Sequence, residues 1–162
     1  MLINIHKDYN FFIPIKWYII LMNEGSFTQN LQYLIGNRIR VNIKQKIRKD
    51  LIENQIKNLR YIWLENYIYT KLMYAKSLWK LITYNQAYKD IHINQPIGKL
   101  FTKSQTDIYK NIAEIYYGYS IYLEKKFDIG KAIWGRKYIL CYNNHAYAIV
   151  QEFFSPHIID FF

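Results

Sequence analysis

The stretch that decides the fold is residues 133–156, which read I-W-G-R-K-Y-I-L-C-Y-N-N-H-A-Y-A-I-V-Q-E-F-F-S-P. Two runs rich in aromatic and β-branched residues flank the short turn Asn143-Asn144, and this pattern predicts a β-hairpin. Side chains of a strand alternate between its two faces, so four residues of the second run share one face. They are Ala148, Val150, Glu152 and Phe154.

This alternation places the carboxylate of Glu152 on an apolar face of the predicted sheet. Burying a carboxylate without a partner is costly, so such a position calls for a cation or a function. The pattern leaves a second arrangement open, because both faces of the strand are largely apolar. In that arrangement Tyr147, Ile149 and Phe153 are buried and Glu152 points to water.

A second stretch, residues 60–79, reads R-Y-I-W-L-E-N-Y-I-Y-T-K-L-M-Y-A-K-S-L-W and predicts an antiparallel pair of strands over 60–67 and 70–79. Arg60 shares a face with Ile62 and Leu64, so one plausible core face begins with a guanidinium. Arg60 and Glu152 could pair with each other. They could also contact the two ends of a small polar anion, because the planar fork of arginine binds carboxylates with two hydrogen bonds.

The remaining elements alternate irregularly between helix and strand. We predict helices over 15–22 and 28–35, the second with Leu31, Leu34 and Ile35 on one stripe. Residues 38–48 alternate as a half-exposed strand. A helix is predicted over 81–89, and another is capped by Ser104 and carries Ile108, Ile112 and Ile115. Without βαβ units the sheet should be mainly antiparallel, which makes this an α+β fold with flanking helices, in one domain over residues 1–162.

Composition excludes several classes of protein and site. The chain has 162 residues and is 51% hydrophobic, which excludes disorder. Its one cysteine, Cys141, excludes a disulfide framework, and the four histidines lack metal-ligand spacing. There is no glycine-rich phosphate loop and no G-x-S-x-G motif. We therefore expect neither a metal nor another cofactor.

The longest apolar run, residues 11–22, is interrupted by Pro14 and Lys16 and is too short to span a bilayer. We expect no stable membrane insertion. The run lacks the cleavage site of a signal peptide, and no Ser/Arg-rich transit peptide precedes it. Abundant Ile, Tyr, Asn and Lys reflect A/T-rich codons, as in plastid genomes. We therefore expect a protein that is made and works inside a plastid.

The net charge of +10 raises the hypothesis of nucleic-acid binding, with the many tyrosines as stacking platforms. The basic residues are scattered, however, and their densest set, residues 38–48, has the spacing of a solvated strand face. A positive field would equally raise the encounter rate of a small dianion. We expect no nucleic-acid partner and a monomeric protein.

Four blocks of sequence, taken in order, resemble the chorismate lyase family, which removes pyruvate from chorismate. The resemblance covers roughly residues 15–156 and is closest to the plastid-encoded and cyanobacterial members. The blocks are G-S-F-T at 25–28, Arg60 with A-K-S at 75–77, Q-P-I-G-K-L-F at 95–101, and W-G-R-K at 134–137 with Q-E-F-F-S-P at 151–156.

The resemblance implies a role for particular residues. Arg60 falls on the arginine that binds the substrate carboxylate, and Glu152 on the glutamate that contacts the ring hydroxyl, so these two are the candidate catalytic residues. Phe27 and Ile97 would be apolar walls on helical flaps that cover the pocket. Two departures, the bulk of Phe27 in place of methionine and Gln29 in place of a basic residue, bear on substrate identity more than on fold.

The implied activity is a carbon–oxygen lyase reaction that converts chorismate to 4-hydroxybenzoate, a quinone-ring precursor, without a cofactor. Arg136 or Lys76 could hold the enolpyruvyl carboxylate. Equally, each could be a surface cation or the partner of Glu152. The alternative function is a non-catalytic module that binds small aromatic carboxylates on the same fold.

Overall fold

The centre of the molecule is one seven-stranded β-sheet in which all neighbouring strands are antiparallel. A computed structural model of the chain describes residues 2–4, 12–50, 55–68, 70–82, 108–142 and 145–162. The strands are β1 (Leu2–Asn4), β2 (Arg40–Asp50), β3 (Gln55–Glu65), β4 (Lys71–Ile82), β5 (Ile108–Gly118), β6 (Ile133–Tyr142) and β7 (His145–Phe154). Their order in the sheet is β1-β5-β6-β7-β4-β3-β2.

Two three-stranded meanders make up most of this sheet. Strands β2, β3 and β4 pair in chain order, and so do β5, β6 and β7. The meanders join where β4 pairs with β7, and there Ala75 lies opposite Glu152. The last strand of the chain is therefore the central strand of the sheet, which gives its residues neighbours from both meanders.

Short helices flank the sheet: α1 (Ile15–Leu21), α2 (Phe27–Ile35), α3 (Ile121–Phe127) and a 3₁₀ helix (Pro156–Phe161). Helix α2 ends at Gly36, which adopts the left-handed conformation (φ 68°) that favours glycine. The Ser120 hydroxyl accepts a hydrogen bond from the backbone of Leu123 and so caps α3. The predicted α+β fold with a mainly antiparallel sheet and flanking helices is confirmed.

Each face of the sheet packs in part against helices, and the helices differ between the two faces. The inner face, which carries Arg60, Arg136 and Glu152, packs at one end against α1 and α2. The core there includes Ile20, Leu21, Phe27, Leu31, Leu64 and Phe154. The outer face, which carries Tyr116, Lys137 and Phe153, packs against α3 through Leu123 and Phe127.

The predicted C-terminal hairpin and the alternation of its second strand are confirmed. Ala148, Val150, Glu152 and Phe154 are all buried, whereas Ile149 is 43% exposed. The alternative arrangement with Glu152 facing water is wrong, because this side chain is only 6% exposed. Phe153 is buried as well, since α3 covers that part of the outer face.

The helix predicted to carry Ile108, Ile112 and Ile115 is wrong, because residues 108–118 form strand β5. The spacing that suggests a helix has another cause. Strand β5 contains a bulge between Ile112 and Glu114, and the extra residue brings Ile112 and Ile115 onto the same face. The predicted cap, Ser104, lies outside the described residues.

Two other predictions are corrected in part. The helix predicted over 81–89 is wrong at its start, where Leu81 and Ile82 end β4, and residues 83–89 lie outside the described part of the chain. The stripe predicted on α2 is wrong at Leu34, which is 47% exposed, whereas Leu31 is fully buried. The structure confirms the antiparallel pair predicted over 60–67 and 70–79, which corresponds to β3 and β4. It also confirms the strand predicted over 38–48, which corresponds to β2.

Candidate active site

The side chain of Glu152 lies at the centre of a buried polar cluster on the inner face. Its Oε2 accepts a hydrogen bond from Nε of Arg136 at 2.7 Å and forms an ion pair with Nη2 at 2.7 Å. Its Oε1 accepts a hydrogen bond from the Tyr138 hydroxyl at 2.9 Å. Both partners come from β6, where Arg136 lies directly opposite Glu152 and Tyr138 lies two residues further along. The hairpin predicted from sequence thus assembles this cluster.

The surroundings of Glu152 keep its carboxylate ionised. Burial by itself would raise the pKa of Glu152, but the charges of Arg136 and Lys110 and the hydrogen bonds of Arg136 and Tyr138 together lower it below its usual value. Burial raises the pKa of the Tyr138 hydroxyl well above its usual value, and the Glu152 charge raises it further. At neutral pH the pair is therefore a carboxylate acceptor with a phenol donor.

Arg136 also holds the end of helix α1. Its Nη1 donates to the backbone oxygens of Leu21 at 2.7 Å, Asn23 at 2.8 Å and Ile20 at 3.3 Å. The first and third carbonyls belong to the C-terminal end of the helix, where unpaired oxygens and the helix dipole favour a cation, and Asn23 lies in the loop that follows. Every nitrogen of this fully buried guanidinium thus contacts protein oxygens. This favours the interpretation of Arg136 as the partner of Glu152.

Sequence analysis did not single out Lys110, which the structure places in the same cluster. Its partly buried Nζ donates to the backbone oxygens of Gly25 at 2.7 Å and Asn23 at 3.3 Å, and it lies 5.2 Å from the centre of the Tyr138 ring. Burial lowers the pKa of Lys110 to about 8, and this shift is opposed by Glu152. The only sequence signal is that Lys110 shares the inner face with Ile112 once β5 is recognised as a strand.

Arg60 lies on the same face, in the other meander. Its side chain is fully buried, and burial lowers its pKa, although a guanidinium remains charged at neutral pH. On β4 it faces Ser77, which in turn faces Val150 of β7. The Ser77 hydroxyl accepts a hydrogen bond from the indole of the buried Trp79 at 2.8 Å. Arg60 and Glu152 thus share one face, with β4 between their strands.

The other predicted site residues occupy different places. Phe27 opens α2, is 5% exposed, and packs edge-on against Phe154 at 5.0 Å between ring centres. Lys76 is exposed on the outer face, because it alternates with the inner residues Ala75 and Ser77. Ile97 lies outside the described residues. The structure therefore brings Glu152 and Arg136 into contact, places Arg60 on their face, and separates Lys76 from all three.

The structure also contains a cavity of about 450 Å³. It is lined by Lys71, Lys126, Asp128, His157 and Asp160, among others, and by none of the predicted site residues. Over the described ranges there is no group of three or more His, Cys, Asp or Glu side chains that could hold a metal ion. No helix among the described residues has the length and apolarity needed to cross a membrane.

Comparison with known proteins identifies the family of the chain. The family model described as Chorismate pyruvate-lyase Rv2949c-like matches residues 21–162. Uncharacterized protein ycf21 of Antithamnion sp. is 43% identical over 152 residues, which cover 94% of this chain and 84% of that protein. The ycf21 protein of Porphyra purpurea is 36% identical over 92% of this chain and 86% of its own length. The ycf21 protein of Cyanophora paradoxa is 30% identical over 86% of this chain and 77% of its own length. The name ycf21 follows the naming of plastid genomes. The chain belongs to the Rv2949c-like chorismate pyruvate-lyase family.

Proposed function

We propose that this protein is a chorismate pyruvate-lyase, which converts chorismate to 4-hydroxybenzoate and pyruvate. The observation that carries the proposal is the buried, ionised Glu152, held by Arg136 and Tyr138 on the same sheet face as the buried Arg60. Arg60 adds a second buried guanidinium to this face, and the planar fork of a guanidinium suits the carboxylate of a bound ligand. Membership of the family supports the same conclusion.

In the proposed complex, Arg60 binds the ring carboxylate and Glu152 accepts a hydrogen bond from the C4 hydroxyl. Each carboxylate oxygen has two acceptor positions, so Oε1 of Glu152 can accept the ligand hydroxyl beside the Tyr138 hydroxyl. Arg60 and Glu152 stand on β3 and β7, two strand spacings or roughly 10 Å apart. Both side chains stand on the inner face, and in the proposed complex one six-membered ring, with a carboxylate and a hydroxyl at opposite ends, binds between them.

The reaction itself needs no oxidant or reductant. The ring loses the hydrogen at C4 as a proton, the C3–O bond breaks, and its electron pair stays on the enolpyruvyl oxygen. The departing enolpyruvate gains a proton and becomes pyruvate, so atoms and charge balance. Because the ring becomes aromatic, the protein has to orient a dianion and stabilise the charge that develops on the leaving group.

The ionised state of Glu152 selects its role among those the sequence allows. A carboxylate with a lowered pKa is ionised at neutral pH and accepts hydrogen bonds, whereas a general acid would need a raised pKa. We therefore propose Glu152 as the acceptor that orients the hydroxyl, since a lowered pKa also makes it a weak base. Phe27 and Ile97 are the proposed apolar walls. Arg136 is assigned to holding Glu152, and Lys76, on the outer face, is left out of the proposed site.

The test is turnover of purified protein with chorismate, followed by chromatography of the products. We expect 4-hydroxybenzoate and pyruvate in equal amounts, formed at least ~10²-fold more slowly by Glu152→Gln protein of the same purity. Tight binding of 4-hydroxybenzoate without turnover would instead support the non-catalytic binding module. The proposal would be refuted if the protein neither bound 4-hydroxybenzoate nor turned over chorismate.

We also propose that this protein works as a single domain inside a plastid and is made there. The support is the plastid naming of its relatives. Fractionation of cells, with an antibody against the protein, would test the location. Its presence mainly outside the plastid fraction would overturn this assignment.

A further inference from the structure

The loop between α1 and α2, residues 22–26, is held to the sheet by two cations. Nη1 of Arg136 and Nζ of Lys110 both donate to the backbone oxygen of Asn23, at 2.8 Å and 3.3 Å. Lys110 also donates to the oxygen of Gly25 at 2.7 Å. Because Arg136 contacts the end of α1 and Lys110 contacts the far side of the loop, the two cations fix different parts of it.

We propose that Lys110 is a positioning residue of the candidate site, whose side-chain nitrogen holds the 22–26 loop to the sheet and so fixes the helix that begins at Phe27. The inference rests on the proposed function only for the identity of the ligand. The loop contacts themselves are properties of the protein without ligand.

Lys110 is connected to the site by two series of contacts. Through the loop, it sets the position of Phe27, whose ring packs against Phe154. Directly, its ammonium lies over the face of the Tyr138 ring, and the hydroxyl of that ring donates to Glu152. Release of the loop would therefore displace an apolar wall of the site and remove one cation from the donor that orients Glu152.

Deprotonation of Lys110 gives this loop a pH dependence whose direction can be worked out. The charged groups around the ammonium are Glu152 of β7, Arg136 of β6 and Glu24 of the loop, beside the ring of Tyr138. Burial lowers the pKa of Lys110 to about 8, whereas an opened loop would return it toward its ordinary value of 10.5. The open form binds the proton more tightly, and the uncharged amine keeps two N–H donors for the two loop carbonyls. The loop should therefore be held more firmly as pH rises from about 8.

The experiment is hydrogen exchange of peptides covering residues 18–30, in the ligand-free protein and corrected for the chemical exchange rate at each pH. We expect exchange about tenfold faster in Lys110→Met, which loses both hydrogen bonds to the loop. Lys110→Arg should restore much of the protection. Lys137→Met is the matched control, because Lys137 lies on the outer face and pairs with Glu114. Should Lys110→Met not fold, Lys110→Gln provides the same comparison.

Three results support the inference together. Loop exchange rises in the Met variant, its pH dependence between about 7 and 9 disappears, and 4-hydroxybenzoate dissociates about tenfold faster than from wild type. Equal loop exchange in wild type and Lys110→Met overturns the inference, and so does faster exchange with unchanged dissociation of the acid. If wild type binds no 4-hydroxybenzoate, the proposed function fails, and the exchange comparison still decides whether Lys110 holds the loop.

Discussion

Replacing Glu152 by glutamine tests the centre of the site, because it keeps the shape and one acceptor oxygen but removes the charge. In the wild type Oε2 of this carboxylate lies 2.7 Å from Nη2 of Arg136, and Oε1 accepts a hydrogen bond from the Tyr138 hydroxyl at 2.9 Å. After the substitution Arg136 stays buried without an anionic partner. Both stability and turnover should therefore fall, by amounts that can be separated.

The expected loss of stability follows from the contacts. Removing one partner of a buried ion pair costs about 3–5 kcal/mol. Arg136 keeps its three carbonyl acceptors on α1 and the loop, so we expect the lower end, about 3 kcal/mol. For a chain of this size that corresponds to a melting temperature lower by roughly 6–12 °C. Turnover, measured where the variant remains folded, should fall by at least ~10²-fold.

The pH dependence of stability adds an independent check. The pKa of the Glu152 carboxyl is lower in the folded protein than its ordinary value of 4.5. Ionised Glu152 therefore stabilises the folded protein at pH values above 4.5, and this contribution is lost as the pH falls below that value. The stability difference between wild type and Glu152→Gln should therefore be full at pH 7 and shrink below about pH 4.5.

The assay is urea unfolding followed by tryptophan fluorescence, together with chorismate turnover on the same preparation. The matched control is Glu114→Gln, which removes a carboxylate paired with Lys137 at 2.7 Å but partly exposed on the outer face. That control should lose no more than about 1 kcal/mol and keep its turnover. A Glu152→Gln protein with the stability and turnover of wild type would refute the reasoning about both the ion pair and the site.

Three further predictions concern other parts of the molecule. Arg60→Ala should weaken 4-hydroxybenzoate binding by about 2–5 kcal/mol in titration calorimetry, and unchanged affinity would remove Arg60 from the site. Gly135→Ala should lower the free energy of unfolding in urea by about 1–3 kcal/mol, because its Cβ would lie 2.7 Å from the Glu152 carbonyl oxygen and the Phe153 ring. Gly130→Ala, whose Cβ would lie in open space, should change it little, and equal stabilities of the two variants would contradict this prediction. Binding to single-stranded or duplex oligonucleotides should be weak and vanish near physiological salt, whereas submicromolar, salt-resistant binding to RNA would count against the enzyme as the primary function.

The sequence was sufficient for those strands whose alternation is regular. From Ala148 to Phe154 the pairing of β7 with β6 has no register shift, so the inner position of Glu152 follows from the residue pattern once one face is known to be buried. β3 does the same for Arg60. In β5 the bulge after Ile112 shifts the alternation by one residue, and the apolar spacing then imitates a helix. A local pattern cannot reveal a bulge that only the partner strand defines.

The residue pattern placed Arg60 and Glu152 on inner-face positions but could not decide which cation pairs with Glu152. Two arginines, Arg60 and Arg136, were candidates to face Glu152, and only the register of β6 against β7 decides that Arg136 forms the ion pair. Lys110 was missed because its acceptor, the Gly25 oxygen, lies 85 residues away in sequence. A contact between a side chain and a distant backbone carbonyl leaves no mark on residue type, since any residue at position 25 offers the same oxygen.

The pairing of β4 with β7 has a consequence for how the site comes into being. Each meander can form from neighbouring hairpins, but the join between them brings together segments about 75 residues apart, a slow, non-local step. Arg60 belongs to one meander and Glu152, Arg136 and Tyr138 to the other, so no partly folded chain possesses the complete site. A ligand that spans Arg60 and Glu152 would also bridge the join itself. Because such a ligand contacts both meanders, it should stabilise their association and slow unfolding of the protein.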